Sequence, residues 1–304
     1  MGLLRSISLF ALLSKSFLNS PRPACCGPFV TFAASISNSA VEHTPTMIVY
    51  DEVTSTMDKA KDLLYKRVEV PDEHTADRLN DDIFAVVAKH QSNGRGTRGR
   101  TWKSANGNLY MTLVIRKSKL PIPLTLVPLR IGTLIAPAIR KRVSNVSVYL
   151  KWPNDVLIGN KKVCGTLIEI EDDRMLIGIG CNVAVAPEMP AFGADKGRQS
   201  TSVKEHMGFE RGEKASESGE LALGIAEEIF ASTRAWLDAA TDSAEYVVNE
   251  FESNMESGAV QTLRSGDDEG REVIPTQVNP DGTLLVHFVD NKFMGKTLVA
   301  DYLW

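Results

Sequence analysis

Residues 94–102 run Gly-Arg-Gly-Thr-Arg-Gly-Arg-Thr-Trp, three glycines interleaved with three arginines and closed by a tryptophan. A core has little use for such a segment, because the guanidiniums repel one another and are costly to bury without anionic partners. It has to be a loop, and the apolar stretches beside it, Ile83–Ala88 before and Leu109–Ile115 after, are the strands that carry it. Glycine lets backbone N–H groups come close to a ligand, and arginine favours anions. The loop is built to wrap something negatively charged, most economically a phosphate chain.

Gly94, Gly96 and Gly99 match the dinucleotide fingerprint G-x-G-x-x-G literally. That reading needs a helix to open at the third glycine, with its N-terminus on the pyrophosphate, and an acid about 20 residues further on for the ribose. Here a strand follows, and Ile115–Leu120 contains no acid. A kinase-type loop fails because no H-R-D or D-F-G follows. No Walker A sequence occurs either.

The rest of the chain alternates strands and helices. Met47–Val53 reads as a strand, and the hydroxyls of Thr54-Ser55-Thr56 can cap a helix with Met57, Ala60, Leu63 and Leu64 on one face. Pro71–Asp82 is polar and acidic, a surface loop. Leu124–Val143 is largely helical, with Pro137 expected to kink or interrupt it. Val146–Lys151 is a strand; Val156–Ile158 and Val163–Ile170 flank Gly159-Asn160-Lys161 as a hairpin; Arg174–Val185 is a further strand. Residues 187–219, poor in large apolar side chains, read as a long surface loop. Two helices follow, one with Leu221, Ile225, Ile229 and Trp236 on its buried face, the other over Ser243–Met255. From Gly258 the pattern is of short strands around the turn Asn279-Pro280-Asp281-Gly282, which suggests a small separate β-barrel.

The net charge of −4 on 304 residues argues against a general nucleic-acid binder, so the arginines of the loop are a local feature. The first 41 residues lack Asp and Glu but carry Arg5, Lys15, Arg22 and many serines, the composition of an organellar transit peptide, mitochondrial or plastid. A disordered tail on a cytoplasmic protein and a secretory signal with Ile7–Leu13 as its apolar core are the alternatives. No later apolar run is long enough to span a bilayer. Cys164 and Cys181 are too few for a disulfide framework or a zinc site and read as small packing residues.

A second dense cluster is Lys151-Trp152-Pro153-Asn154-Asp155, with Lys161-Lys162-Val163-Cys164-Gly165 close behind it across the hairpin. A Lys-Lys pair is ordinarily an exposed turn. Here a buried strand begins at once, and alternation puts the two lysines on opposite faces, so one can face inward beside Asn154 and Asp155.

Taken in order, Thr54-Ser55-Thr56, Gln91 through Trp102, Lys151–Asp155, Lys162 with Gly165, and Gly178–Asn182 resemble the biotin–protein ligase family, in its monofunctional form. The resemblance is strong over Met47–Val185 and weak in the C-terminal β segment. It implies an α+β fold, a class II aminoacyl-tRNA synthetase-like mixed sheet flanked by helices, with a small C-terminal SH3-like barrel. The implied organisation is a leader over 1–45, a catalytic domain over 46–256 and a β domain over 257–304. It further implies ATP-dependent activation of biotin as biotinyl-5′-AMP and transfer to a lysine of carboxylase biotin carboxyl-carrier domains. The enzyme would be a monomer or homodimer, without the DNA-binding domain of bifunctional members.

By the same resemblance, Ser55, Thr56 and Gln91 hold the biotin ureido ring, and Arg95 and Gly96 close over it, with Met57, Gly94, Thr97 and Gly165 also lining the biotin site. Lys162 sits between the biotin carboxylate and the α-phosphate. Arg98 and Arg100 contact phosphate, and Trp102 packs on the adenine side. Lys151, Asn154 and Asp155 serve ATP, Asp155 through its Mg²⁺, and Asn182 serves the adenine. For Ser55 and Thr56 a pure capping role is the alternative.

Two positions depart from the family pattern. Thr97 stands where many bacterial members have a second adjacent arginine, which weakens the expected grip on the adenylate, and Met57 stands where asparagine is common. A lipoate or octanoyl ligase of similar fold and a non-catalytic biotin-binding homologue are the rival readings. The loop Asn93–Lys103 is expected to be mobile without substrate.

Overall fold

The computed structural model describes residues 46–65, 79–188, 199–208, 215–256, 258–263 and 267–300. The leader, most of the acidic segment after Pro71 and the end of the chain lie outside them. The first strand, β1 (Met47–Val53), lies parallel to β2 (Ile83–Gln91), a pairing that needs a crossover connection, and α1 (Thr56–Leu64) forms part of it. Ser55 caps α1 by accepting a hydrogen bond from the Met57 N–H. The remaining strands pair antiparallel: β3 (Leu109–Arg116), β4 (Val148–Lys151), β5 (Asp155–Ile158), β6 (Lys161–Glu171) and β7 (Arg174–Cys181). They complete a seven-stranded sheet in the order β1-β2-β3-β7-β6-β5-β4.

The two faces of this sheet have different fates, and the difference creates the site. Ala85, Val87, Met111, Leu113, Ile177, Ile179 and Cys181 point to the main core. There they meet α2 (Val127–Arg140), α3 (Ala215–Ala239) and α4 (Ala244–Asn254) through Ile131, Ile135, Ile225, Ile229 and Phe251. On the opposite face Phe84, Val86, Val114 and Leu176 are covered by Met57, Ala60 and Leu63 of α1. Towards the C-terminal end of β7 that cover stops. The register there aligns Lys151, Asp155, Gly165, Gly180 and Tyr110 in one transverse row. Directly opposed residues share a face, so two adjacent glycines leave bare backbone in the middle of the sheet.

Pro137 does not interrupt its helix: α2 runs unbroken from Val127 to Arg140, after a 3-10 turn at Leu124–Leu126. Proline forfeits only its own N–H bond one turn back, and Pro137 stands on the exposed side while the opposite face of the helix is buried. The 187–219 segment is a surface loop only in part. Thr201, Ser202 and Val203 are buried, and Lys162 N–H donates to Gln199 O at 2.8 Å while Thr201 N–H donates to Lys162 O at 2.9 Å. Its hydroxyls looked like loop chemistry because their role is local: Glu205 accepts from the Ser202 N–H and hydroxyl and from the Thr201 hydroxyl. The last residues of the segment already belong to α3. The hairpin turn is Gly159-Asn160, since Lys161 pairs with Ile158.

A second sheet, order β11-β10-β9-β8, comprises β8 (Gln261–Thr262), β9 (Glu272–Val278), β10 (Leu284–Phe288) and β11 (Gly295–Leu298), all antiparallel. Its inward residues Val273, Val278, Leu284, Val286 and Phe288 join the main core. The turn at Gly282 is where it seats. Gly282 has φ +87°, and a Cβ there would lie 2.8 Å from Thr125 O. Gly282→Ala should therefore destabilise the protein by roughly 1–3 kcal/mol. A shift in the midpoint of chemical denaturation measures this, and an unchanged midpoint refutes it.

Candidate active site

The glycine/arginine segment is drawn into a hairpin. Ser92 and Asn93 N–H donate to Val53 O and Thr54 O, tying its entry to the β1–α1 turn. Trp102 N–H donates to Gly94 O at 2.9 Å, Arg95 bridges Thr101, and Gly96 N–H donates to Arg100 O at 2.7 Å. The tip is one 3-10 turn, Thr97–Gly99, in which Arg98 has φ 58° and Gly99 φ 70°. The exit is held by the Tyr110 hydroxyl, which donates to Ala105 O at 2.6 Å. Burial pushes that phenol up to about 12, so it remains a donor across the accessible pH range.

Beneath the hairpin lies a cavity of about 520 Å³ over the glycine row. At one end is a network of uncharged polar groups. Gln91 Oε1 accepts from Thr56 N–H at 2.8 Å and from the Thr56 hydroxyl at 3.2 Å; Gln91 Nε2 donates to Ser104 Oγ at 3.2 Å. The Thr112 hydroxyl donates to Thr56 Oγ1 at 2.9 Å. Ser55 lines the same cavity while capping α1, so capping and lining are compatible.

At the other end is charge. Lys162 Nζ lies 2.6 Å from Asp155 Oδ1 and 5.5 Å from the centre of the Trp102 ring. The β-bulge between Val156 and Leu157 offsets the pairing of Lys162. Gly165 makes room for it, because a Cβ there would come within 2.7 Å of Nζ. Trp102 in turn lies on Gly180, where a Cβ would be 2.5 Å from the indole. Asn154 Nδ2 donates to Thr166 O at 2.6 Å and so holds the turn between β4 and β5. Asn182 Nδ2 donates to Thr201 O at 3.2 Å, while its Oδ1 is buried with no hydrogen-bond partner among the described residues. Arg100 donates to Thr97 O and, at 2.7 Å, to Thr97 Oγ1, so threonine at this position orients a neighbouring arginine.

Every residue singled out in the sequence lines this cavity except Gly94. Gly94 is packed behind the hairpin, where a Cβ would lie 2.5 Å from Trp102 O and 2.9 Å from Ser104 Oγ. Met57 does line the cavity, but its side chain belongs to the apolar cluster under α1, with its sulfur against Gly178. Sequence reasoning missed Thr112, Ser104, Leu167 and Ser200, and gave no role to Trp152. The spacing of Gly178 and Gly180 was a usable signal, because glycines two apart on a strand clear one face. Cys164 and Cys181 are cross-strand partners and both are buried. A hydrogen bond donated by its own S–H to Cys164, together with burial, holds the Cys181 thiol well above the ordinary range, which suits packing and not nucleophilic attack.

The chain that builds this pocket resembles known proteins in sequence and fold. Residues 66–184 fit the model of the biotin/lipoate A/B protein ligase family. The structure of biotin protein ligase from Leishmania major in complex with biotin is 31% identical, with a TM-score of 0.53, and the likeness covers 85% of this chain and 100% of that one. The chain belongs to the biotin protein ligase family. Among curated members, the biotin–[acetyl-CoA-carboxylase] ligase of Mycobacterium tuberculosis is 34% identical over 113 residues, 35% of this chain and 42% of that protein. The chain spans less than half the length of the curated biotin ligases it matches. The Aquifex aeolicus biotin protein ligase in complex with biotin and ATP shares the fold at TM-score 0.58 and 24% identity, covering 84% of this chain and 97% of that one. The mixed sheet flanked by helices is thus the family's architecture.

Proposed function

We propose that this chain activates biotin with ATP and transfers it to a lysine of a biotin carboxyl-carrier domain. The observation that carries the reading is the polarity of the cavity, neutral hydrogen-bonding groups at one end and Lys162 with Trp102 at the other. A ureido ring offers both N–H and C=O groups, and the Ser55, Thr56 and Gln91 network can satisfy them. A lipoyl or octanoyl chain has no ureido donors or acceptors to meet the remaining lone pairs and protons of that network, which favours biotin. The solved relative from Leishmania major holds biotin, which supports the same choice.

The chemistry then follows from charge. The biotin carboxylate oxygen attacks the α-phosphorus of ATP, the bond to the bridging oxygen breaks, and pyrophosphate leaves. Two anions must be brought together, with a repulsion of about 1 kcal/mol per charge pair in water and about 4 in a partly buried site. Lys162 is the cation positioned to offset it, exchanging Asp155 for the reacting oxygens. Arg98 and Arg100 on the hairpin tip meet the departing phosphates, with Lys151 on the opposite wall. In the second step the neutral amine of the carrier lysine attacks the acyl carbon, AMP leaves with the bonding pair, and the amine loses a proton.

Among the described residues no three His, Cys, Asp or Glu side chains converge on one point. Mg²⁺ would therefore arrive on the triphosphate, with Asp155 as its protein carboxylate, and would neutralise phosphate charge there. We read the small C-terminal sheet as an SH3-like barrel, supported by the bulge between Leu285 and Val286 that bends β10. The leader is read as an organellar address, which fusion of residues 1–45 to a fluorescent protein tests by its location.

Two measurements check these roles. Incubation with biotin, ATP and a carrier domain should add one biotin to the carrier, seen by mass spectrometry, and lipoate should add nothing; a lipoylated carrier contradicts the reading. Arg98→Ala should raise the KM for ATP about tenfold, with the KM for biotin nearly unchanged. A change confined to biotin contradicts the phosphate role.

A further inference from the structure

Of the loop's three arginines, Arg95 is engaged differently from the two at the tip. Its guanidinium pairs with two fixed elements, with Nη2 2.9 Å from Asp58 Oδ1 and Nη1 3.3 Å from Glu169 Oε1. Asp58 stands in the first turn of α1, directly after the Ser55–Met57 stretch that lines the cavity. Glu169 lies on β6, an even number of residues beyond Gly165 and hence on the cavity face. Lys61 Nζ, 2.8 Å from the other oxygen of Glu169, holds that carboxylate in place. Glu171 pairs with Lys61 as well, so three carboxylates face these two cations, and the surplus negative charge disfavours a substrate anion at Arg95.

What Arg95 can do is fix the hairpin. Its backbone bridges Thr101, so immobilising this one residue immobilises both limbs of the loop over the neutral end of the cavity. We propose that Asp58 and Glu169 are positioning residues for biotin, an electrostatic clasp that sets the loop through Arg95. This rests on the proposed activity for its substrate, but not for its geometry. Neither acid falls in any motif that pointed to the site. The groups are part-exposed, with 33% of the Arg95 side chain, 40% of Asp58 and 21% of Glu169 accessible. The clasp should accordingly weaken as salt rises.

The test compares wild type with Asp58→Asn, Glu169→Gln, both together, and Asp58→Glu. The double variant should raise the KM for biotin about three- to tenfold while kcat stays within about twofold. Trypsin should cut the ligand-free protein after Arg98 or Arg100 faster in the double variant by a comparable factor. Asp58→Glu should restore both values towards wild type, and potassium chloride should raise the wild-type KM for biotin more than that of the double variant. Wild-type KM and wild-type cleavage in the double variant overturn the clasp, as would a loss of kcat and thermal stability with KM unmoved. The tryptic rate needs no substrate, so it decides the clasp even if the wild-type protein fails to activate biotin, a failure that would count against the proposed activity instead.

Discussion

Lys162→Ala should abolish adenylate formation, lowering biotin-dependent ATP–pyrophosphate exchange by about 10²- to 10³-fold while the protein stays folded. The ammonium is the cation that the bulged start of β6 delivers beside Asp155 and Trp102. Charge develops on phosphate and carboxylate oxygens together in the transition state, and a preorganised cation counts for more there than in the ground state. The loss should accordingly fall on kcat more than on biotin binding. The side chain is three-quarters buried in a pair with Asp155, so its removal costs some stability, read as a lower melting midpoint without loss of the cooperative transition. A second reading separates the two half-reactions. Supplied with preformed biotinyl-5′-AMP, the variant should still transfer biotin to a carrier domain, with a much smaller deficit. Normal exchange by Lys162→Ala would remove the residue from the mechanism.

Gly180→Ala carries the second large effect. An added Cβ would meet three atoms of the Trp102 indole, at 2.5, 2.8 and 2.9 Å. A rigid ring cannot yield as a flexible chain end does, so the indole has to tip out of its place above the glycine row. The hairpin limb that carries it moves too, because Trp102 N–H is bonded to Gly94 O. We expect exchange to fall at least about tenfold, mainly through the KM for ATP, with only a modest stability cost because the ring borders a cavity. Gly219→Ala on α3, where nothing lies within 4 Å of the added Cβ, is the control and should leave activity unchanged. Gly180→Ala with wild-type kinetics would mean that the position of the Trp102 ring is immaterial.

Much of this site was legible in the sequence because its chemistry is concentrated in short runs. Three arginines among three glycines cannot be buried, a strand on either side made the segment a loop, and the lysine after the hairpin turn had to enter a buried strand. What joins those runs was not legible. The alignment of Lys151, Asp155, Gly165 and Gly180 is a matter of register, set by strands distant in sequence. Thr112 looks like any strand threonine until Thr56 is found beside it. Asp58 and Glu169 look like solvated surface acids until the loop folds back between them. Thr201 and Ser202 have the composition of a loop and the burial of a core, since their hydroxyls are satisfied within a few residues by Glu205. The unbroken α2 shows the reverse error, a proline rule applied where packing of the whole helix face outweighs one lost hydrogen bond.

The measurement that bears most directly on the central claim is ATP–pyrophosphate exchange with biotin, with lipoate and with neither. Exchange driven by biotin alone is the predicted result, because the proposed reading sets the ureido ring against the Thr56–Gln91 end and the carboxylate beside Lys162. Exchange driven by lipoate alone, or no exchange in any of the three, would contradict it.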